Sequence, residues 1–236
     1  MERVDEIRRD EPRVGTRKLQ HRLFGMGLVV GRDALFALLR AKGRLVKRKR
    51  SYCKTTYSRH GYAVAPNRLK VMDVTAPRQV FVSDITYVRL GTKGFVYLFL
   101  VTDLYSRKIV GWHLSRDLSH HAAMIALDNA VRAVGDVTGI LHHSDRGCQY
   151  CCHEYLRYLA SVKMIPSMTD ENHCYQNAVA ERVNGILKDE FNIDGVFPSF
   201  VDARMAVQTA IEVYNTKRTH WSLKLRTPQD VFQMPV

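Results

Sequence analysis

Two periodicities of hydrophobic residues divide the chain into a helical part and a mixed part. In the first fifty residues, apolar side chains recur every three or four positions in "RKLQHRLFGMG" (17–27) and "GRDALFALLRAKG" (31–43), and each run ends at glycine. The pattern predicts two short amphipathic helices with a glycine-containing turn. Such a pair is typical of a helix-turn-helix unit and equally of any small helical hairpin, so periodicity leaves both interpretations open.

Alternating apolar and polar residues take over from residue 77. Runs rich in β-branched and aromatic residues predict three successive strands at 78–90, 95–105 and 107–115. The later patterns predict further strands at 139–145 and 163–168, and helices at about 119–134, 153–162, 176–191 and 201–215. Three meandering strands followed by alternating helices and strands predict an α/β domain with a mixed sheet.

The distribution of charge indicates what the first part binds. The formal net charge of +13 lies entirely in residues 1–70, which hold 19 Lys and Arg against 6 Asp and Glu, while the remaining residues hold 17 of each class. A basic module attached to a charge-balanced domain predicts a polyanionic partner. The basic run "RLVKRKR" (44–50) therefore favours the helix-turn-helix interpretation over a plain hairpin.

These patterns predict three segments along the chain. Residues 1–50 form a basic, helical, helix-turn-helix-like module that binds DNA, and residues 77–236 form the globular α/β domain. Residues 51–76 are weakly periodic and rich in Tyr, Ser, Thr and Asn, which predicts an extended linker. In the basic module, the side chains that we expect to contact DNA are Arg17, Lys18, Arg32, Lys47, Arg48, Lys49 and Arg50.

Hydropathy and cysteine usage predict a cytoplasmic protein. The longest apolar run, "FVYLFLVTDLY", is interrupted by Asp103 and is shorter than the roughly 18 residues of a membrane span, and the charged N-terminus has no apolar signal region. An odd number of cysteines, clustered at 148–152, argues against a disulfide framework. A zinc site is an open alternative, but spaced CxxC pairs are missing, and small buried thiols are the favoured interpretation. Its candidate ligands are Cys148, Cys151, Cys152, His153, His173 and Cys174.

Three acidic residues are candidates for chemistry because of their placement. Asp84 lies inside an apolar strand, in "FVSDITYV", where a carboxylate is costly to desolvate unless it is paired or binds a metal. Asp145 follows the buried strand in "HHSDRGCQY", where a turn or helix cap is the simpler explanation. Glu181 lies on the polar face of its helix together with Asn177, Asn184 and Lys188, where a solvated surface acid is the simpler explanation.

Carboxylates that share one site repel each other, and a divalent cation removes this repulsion. Hard oxygen ligands at the mouth of a sheet suit Mg²⁺ or Mn²⁺. Two such ions, roughly 3.5–4 Å apart, can activate an attacking oxygen and stabilise a leaving oxygen in an in-line phosphoryl displacement. Three acids beside a polynucleotide-binding module therefore favour phosphodiester chemistry.

The motifs around these acids resemble a known family. Asp145 and Glu181 are separated by 35 intervening residues, and the three acids stand in "SDITYV", "HSDRGCQY" and "NAVAERVNGILK". The stretches "VTDLYSRKIVGW" and "YNTKRTHWSLKLRTPQDVF" (214–232) add to the likeness, as does "PRVGTRKLQHRL" near the N-terminus. Over nearly its whole length the chain resembles retroviral-integrase-like transposases with a DD(35)E core, specifically the OrfB-type catalytic protein of bacterial insertion sequences.

The resemblance implies a ribonuclease H-like fold, a mixed sheet flanked by helices and preceded by the helix-turn-helix-like module. It implies that Asp84, Asp145 and Glu181 surround two Mg²⁺ (or Mn²⁺) ions. The activity would be that of a polynucleotidyl transferase, which hydrolyses DNA at a transposon end to free a 3′-hydroxyl that then attacks another phosphodiester. The implied partners are DNA, further copies of the chain to form at least a dimer, and a protein from an upstream frame. The implied location is a bacterial cytoplasm, at the nucleoid.

Several supporting residues have more than one interpretation. We expect Lys188 to touch terminal DNA, with an ordinary surface lysine as the alternative, and Arg146 to contact a phosphate from a tight turn. His143 either orients a water or touches DNA, or is a packed strand-end histidine, which is the favoured interpretation. Asn177 either hydrogen-bonds the side chain of Glu181 or caps its helix.

Two departures from the family pattern leave a rival function open. Relatives often carry aspartate where this chain has Gln176, which removes one acid near the site but no core ligand. Their segment before the core is usually longer, so we expect an internal start or a truncation of this chain. A catalytically silent DNA-binding regulator, or a remnant of the same element, is therefore the alternative. A nuclease for RNA–DNA hybrids is a further rival, but it has no obvious use for the basic module.

Overall fold

The computed structural model describes residues 1–46, 62–92, 94–170 and 177–234. The helices in these ranges are α1 (Glu2–Asp10), α2 (Thr16–Gly25), α3 (Arg32–Ala41), α4 (His120–Val134), α5 (Cys148–Cys151), α6 (His153–Ser161), α7 (Ala178–Phe191), α8 (Phe200–Thr216) and α9 (Pro228–Phe232). The strands are β1 (Val80–Leu90), β2 (Gly94–Asp103), β3 (Ile109–Ser115), β4 (Leu141–Ser144), β5 (Ile165–Met168) and β6 (Val196–Phe197). The strands and helices predicted from residue 77 onward are confirmed, with small differences at their ends.

Leucines at four-residue spacing build a small core in the N-terminal part. Leu19 and Leu23 of α2 pack against Leu35 and Leu39 of α3, and all four side chains are buried. The two predicted helices are thus confirmed. Helix α1 was not expected from the pattern, and it joins the same cluster through Val4 and Ile7. The linker prediction falls partly on residues 51–61, which lie outside the described residues.

The sheet is mixed, as the sequence predicts. Strands β1, β2 and β3 form an antiparallel meander, and β4 and β5 add to the other side of β1 as parallel strands. The order across the sheet is β3-β2-β1-β4-β5, and short β6 pairs with the far end of β1. Because β1 is central, any side chain at its middle is enclosed by neighbouring strands and covering helices.

Alternation along β2 distributes two apolar layers to the two faces of the sheet. Phe99 and Val101 belong to the cluster that includes α4 and α6, whereas Leu98 and Leu100 belong to the cluster that includes α7 and α8. Helix α4 lies very close to β3, as Gly111 of β3 shows: a Cβ at this position would be only 2.4 Å from a backbone oxygen of α4. The two layers place α7 and its polar face beside β1.

The N-terminal helices contact the core through an ion-pair network. Glu190, at the end of α7, accepts hydrogen bonds from Lys18 of α2 at 3.3 Å and from the guanidinium of Arg218 at 2.7 Å. The backbone amide of Arg13 also donates to the carbonyl of Glu190 at 3.1 Å. Burial alone would raise the pKa of Glu190, but the hydrogen bonds and positive charges of Arg218 and Lys18 hold this pKa below its usual value. The network connects the basic helices to the helix that carries Glu181.

Candidate active site

The parallel register of β1 and β4 brings the first two acids together. Ser83 of β1 pairs with Ser144 of β4. The next residue on each chain segment is an aspartate, so Asp84 and Asp145 lie side by side at the carboxyl end of β4. This end of a parallel strand pair is where α/β folds commonly place their ligands.

Asp84 is held in place by two hydrogen bonds. Its Oδ2 accepts from Nδ2 of Asn184 at 2.7 Å, and its Oδ1 accepts from the backbone amide of Ile85 at 2.9 Å. Burial raises the pKa of Asp84 to about 7, the negative charges of Asp145 and Glu181 raise it as well, and the two hydrogen bonds oppose this. A carboxyl group that is already hydrogen-bonded but hard to ionise is one that a nearby cation would stabilise.

Asp145 is at once a turn residue and a member of this site. Its Oδ1 accepts a hydrogen bond from the backbone amide of Gly147 at 2.9 Å, which closes the turn that leads into α5. A Cβ at Gly147 would lie 3.0 Å from that same carboxylate oxygen, so glycine permits the close approach. Arg146 occupies the same turn, as the sequence predicts.

Glu181 lies in the first turn of α7, exposed to solvent. The part of this side chain that is covered by its neighbours is desolvated, and this partial burial and the charge of Asp145 both raise the pKa of Glu181. Asp145 therefore influences both of the other acids, and Asp84 responds to both of its neighbours. The three acids predicted from the sequence belong to one electrostatically coupled site.

Two asparagines attach α7 to β1 on either side of Glu181. Asn184 donates to the Asp84 carboxylate, and Nδ2 of Asn177 donates to the backbone carbonyl of Ser83 at 3.0 Å. Of the two predicted roles of Asn177, the structure supports the helix cap, because Asn177 is the N-cap residue of α7, although its side chain makes no cap hydrogen bond. Asn177 is the residue that precedes α7, but its amide donates to β1 instead.

A buried polar layer lies behind the aspartates. Nε2 of His142 is 2.8 Å from Oγ of Ser83 and 3.0 Å from the hydroxyl of Tyr155. Burial lowers the pKa of His142 to about 3, so this ring is neutral. His143 is completely buried, with Nδ1 at 2.9 Å from Oγ of Ser167 on the adjacent strand, as befits a packed strand histidine.

The predicted DNA contacts occupy different surroundings. Arg17 is exposed, and Arg32 is exposed but pairs with Asp33 at 2.7 Å. Lys18 is largely buried beside Glu190, and burial lowers its pKa to about 8. Lys188 lies on α7 seven residues after Glu181, which is the same side of a helix. The predicted contacts Lys47, Arg48, Lys49 and Arg50, and the departure at Gln176, lie outside the described residues.

The cysteines show no disulfide among the described residues. Cys148, Cys151 and Cys152 are free thiols, and burial raises the pKa of Cys151 to about 12, which disfavours the thiolate that zinc requires. Within the described ranges, one set of three His, Cys, Asp or Glu side chains has donor atoms that all lie within 4.8 Å of one another. This set is His120, Cys152 and Glu154, whereas the carboxylate oxygens of the three acids do not all lie within that distance of one another.

Sequence reasoning missed one residue of the site. Asn184 lies three residues after Glu181 on the polar face of α7. The sequence predicts this position for Asn184 but not the contact that its side chain makes. The signal was an amide at helical spacing from an acid, but its partner Asp84 lies 100 residues away in the chain. Only the packing of α7 on β1 reveals the contact.

Family comparison divides the chain into two overlapping matches. An integrase core domain family matches residues 65–174, and a second integrase core domain family matches residues 162–228. The first match contains Asp84 and Asp145, and the second contains Glu181. The described helices that meet at the candidate site are all covered by these two matches, whereas α1–α3 precede both.

The chain is similar to proteins of bacterial insertion elements. It is 38% identical over 209 residues to the insertion element IS600 uncharacterized 31 kDa protein of Shigella sonnei, covering 87% of this chain and 76% of that protein. It is 32% identical over 214 residues to transposase InsF for insertion sequence IS3A of Escherichia coli (strain K12), covering 90% of this chain and 74% of the relative.

Solved structures share the fold at low sequence identity. The HTLV-2 integrase catalytic core domain in complex with magnesium, in its dimeric form, matches with a TM-score of 0.54 and 16% identity, covering 67% of this chain and 98% of that one. A chain of the simian T-cell lymphotropic virus intasome in complex with PP2A regulatory subunit B56 gamma matches with a TM-score of 0.59 and 17% identity, covering 94% of this chain and 72% of that one. The ribonuclease H-like fold that the sequence predicts is confirmed.

Proposed function

The chain belongs to the insertion-sequence transposases that carry an integrase core domain, and we propose that Asp84, Asp145 and Glu181 hold two divalent metal ions for DNA cleavage and strand transfer. As a member of this family, the protein is a polynucleotidyl transferase that acts in DNA transposition and integration. The proposal concerns which residues do the chemistry and which cofactor they use. Mg²⁺ is the first candidate for the ion and Mn²⁺ the second.

The observation that carries the proposal is the register of β1 and β4, which places Asp84 beside Asp145, with Glu181 near enough for its charge to act on Asp84. The charge of Asp145 raises the pKa of both Asp84 and Glu181, after burial, so the site resists holding three negative charges by itself. Oxygen donors in an open, acidic arrangement fit Mg²⁺ or Mn²⁺, which prefer carboxylate and water ligands. The magnesium named for the HTLV-2 integrase core is consistent with this choice. When bound, two such ions would supply activation of an attacking oxygen and stabilisation of a leaving oxygen.

Residues of the chain orient the acids for this purpose. Asn184 fixes one oxygen of Asp84, and the amide of Gly147 fixes one oxygen of Asp145. Asn177 holds the start of α7 on β1, which positions Glu181 one turn later. Phosphoryl transfer depends mainly on such positioning and on charge neutralisation, and it requires no covalent bond to the protein.

The proposed reaction has two steps at this one site. Water first attacks the phosphodiester at the transposon end, and the bond to the 3′-oxygen breaks to give a free 3′-hydroxyl. That hydroxyl then attacks a second phosphodiester, and the displaced 3′-oxygen leaves. We propose that Arg146, which directly follows Asp145, and Lys188, which lies seven residues after Glu181, contact the phosphates of the DNA.

The remaining partners follow from the reaction. Two transposon ends must be joined to one target, so we propose that at least two copies of the chain assemble on DNA at the nucleoid, with residues 1–50 binding DNA and 51–76 acting as a linker. A protein from an upstream frame would contribute to recognition of the ends. No helix in the described part of the chain combines the length and hydropathy of a membrane span.

A strand-transfer assay tests the proposal. Labelled duplexes that carry the ends flanking this gene would be incubated with the protein and Mg²⁺, with Mn²⁺, or with EDTA. We expect nicked and joined products with either ion and none with EDTA. DNA binding without any product in either metal would instead support the silent regulator, although the presence of all three acids in one site argues against it.

A further inference from the structure

A large cleft separates the N-terminal helices from the core. Its volume is about 970 Å³, and it is lined by the first turns of α2 and α3 on one side. The other side consists of α7 and of the segment 214–222 that ends α8 and follows it. The residues of α7 that face the cleft, such as Arg182 and Ile186, are on a different side of the helix from Glu181. The cleft is therefore separate from the acidic site but shares α7 with it.

The walls of the cleft are strongly basic. Only two of the acids in the described residues line it, and both are engaged, Asp33 with Arg32 and Glu190 with Lys18 and Arg218. The cationic residues that line it are Arg17, Lys18, Arg32, Arg107, Arg182 and Arg218. Arg17, Arg107 and Arg182 have no carboxylate of the described residues within ion-pair distance. The cleft thus has an excess of positive charge that an anion would neutralise.

Two buried polar atoms in the cleft have no partner in the described protein. Nε2 of His220, in a side chain that is 7% exposed, has no hydrogen-bond partner there, and neither does Nη1 of Arg107. Buried nitrogen atoms without partners are uncommon because their desolvation is not compensated. Both residues line the same cleft, so one ligand with several acceptor oxygens would satisfy both.

The surroundings of His220 point to the charge of that ligand. Burial is the main cause that lowers the pKa of His220 to about 2, and the charges of neighbouring cations lower it further. Those cations are Arg218, Lys18, Arg107 and Arg182. Arg218 and Lys18 are paired with Glu190, whereas Arg107 and Arg182 have no carboxylate partner among the described residues, so negative charge placed beside these two arginines would be favourable.

Both helices at the entrance present their N-termini. Gly15 precedes α2 and Gly31 precedes α3, and neither glycine has a side chain that could cap the helix. The first turns of both helices line the cleft, where their free amide groups and helix dipoles favour an anion. Trp221 lies at the same wall with 58% of its surface exposed, available to pack against a sugar or a base.

We propose that this cleft binds the phosphodiester backbone of DNA, with Arg17, Arg107, Arg182 and His220 as its phosphate ligands. The proposal rests on the function given above and adds a second DNA contact beside the acidic site. DNA held there would lie between α2, α3 and α7, so the basic helices and the helix of Glu181 would grip the same nucleic acid.

The test measures DNA binding without catalysis. A fluorescein-labelled duplex carrying an end of the element would be titrated by anisotropy in EDTA at several salt concentrations. The variant pair is Arg17→Ala with Arg182→Ala, because both side chains are exposed and their loss leaves the core intact. The matched control is Arg9→Ala with Arg204→Ala, two exposed arginines of the same helical module and of the core that do not line the cleft.

We expect the cleft pair to weaken binding at least tenfold and to lower the salt slope by about two, since each lost phosphate contact removes about one released counterion. The control pair should leave the slope within error of the unaltered protein. An unchanged affinity and slope in the cleft pair would overturn the proposal, whereas absence of DNA binding by the unaltered protein would overturn the proposed function as well.

A second arm separates DNA from small anions and probes the buried ligand. Sodium pyrophosphate or a deoxynucleoside monophosphate, each at about 1 mM and at constant ionic strength, should leave the duplex bound. A site for the DNA backbone contacts several phosphates at once, so a single small anion competes poorly with the duplex. Displacement by either would assign the cleft to a free phosphate compound instead. His220→Gln, checked for folding by circular dichroism, should weaken duplex binding, and binding of unaltered strength by this folded variant would remove His220 from the site.

Discussion

Asn184 and Asp84 lie 100 residues apart in the chain and are joined by a hydrogen bond of 2.7 Å between Nδ2 and Oδ2. The bond connects α7 to β1 at the centre of the candidate site. It also favours the ionised form of Asp84 and so opposes burial and the charge of Asp145, which together raise the pKa of this residue to about 7 despite the bond. This asparagine therefore affects both the position and the charge of a proposed metal ligand.

Replacing Asn184 with alanine should shift the pH dependence of cleavage. The hydrogen bond lowers the pKa of Asp84, so its loss raises that pKa further above about 7 and leaves less of the carboxylate ionised at neutral pH. We expect the acidic limb of the pH–rate profile to move to higher pH and activity at pH 7 to fall by roughly 10–100-fold, as for other residues that orient metal ligands. Asn129→Ala is the control, because that side chain is exposed and donates to the backbone carbonyl of Trp112, away from the acids. An unmoved profile in Asn184→Ala would contradict this role.

Removing any one of the three acids should abolish chemistry but not DNA binding. Asp84→Asn, Asp145→Asn and Glu181→Gln each keep the side-chain shape and remove a charged oxygen ligand, so we expect cleavage to fall by more than about 100-fold, beyond the effect of second-layer partners. Duplex affinity, measured by anisotropy in EDTA, should stay within about threefold because few phosphates are contacted by carboxylates. Glu212→Gln on the exposed side of α8 is the matched control and should cleave normally. Full cleavage by any variant of the triad would exclude that residue from the site.

The triad should also make folding stability depend on pH and on metal. The pKa of Asp84 is about 7 in the fold against an ordinary value of 3.8, so the folded state binds an extra proton between these values. This contribution to stability is fully present below pH 3.8 and is lost as pH rises through 7, by less than about 4 kcal/mol because solvent screens a partly exposed group. At pH 8 without metal, Asp84→Asn should therefore melt at a higher temperature than the unaltered protein, and the difference should shrink as pH falls toward 4.

Magnesium should reverse that ranking at pH 8. An ion that binds only the folded protein stabilises it in proportion to the logarithm of ion concentration over the dissociation constant, by about 2.7 kcal/mol at a hundredfold excess. We expect Mg²⁺ to raise the melting temperature of the unaltered protein and to leave Asp84→Asn nearly unchanged. Equal stabilisation of both proteins would mean that the ion binds elsewhere.

The fold was predictable because its main elements carry strong local patterns. The meander of β1, β2 and β3 follows from runs of β-branched and aromatic residues, and α7 follows from its apolar stripe. Helix α1 escaped prediction because "ERVDEIRRD" has only two apolar residues, Val4 and Ile7, whose burial depends on contact with α2 and α3. The short α5 is a single turn after Asp145, too brief to produce a period.

The site was predictable only as a set of residues. The spacing of Asp145 and Glu181 pointed to a shared role, but the neighbourhood of Asp84 and Asp145 comes from the parallel pairing of β1 with β4, which is not visible in local sequence. For the same reason the hydrogen bond of the Asn177 side chain could not be predicted, since its partner, the carbonyl of Ser83, is 94 residues away. Lys18 looked like a DNA contact by composition, yet its pairing with Glu190 depends on how the N-terminal helices lie on the core.

The close contact of α4 with β3 gives a stability prediction that is independent of function. A Cβ at Gly111 would lie 2.4 Å from the carbonyl oxygen of Ala126 and 2.6 Å from the backbone nitrogen of Ala130, both of them parts of a helix that is unable to shift locally. We expect Gly111→Ala to lower the free energy of unfolding by at least about 1–3 kcal/mol, because the helix must move away from the sheet. Urea denaturation would measure this change. Gly185→Ala is the matched control, since nothing lies within 4 Å of its Cβ position in α7, and helix propensity should make it neutral or more stable by up to about 1 kcal/mol. If Gly111→Ala were as stable as Gly185→Ala, the helix and the strand would have to be farther apart than described.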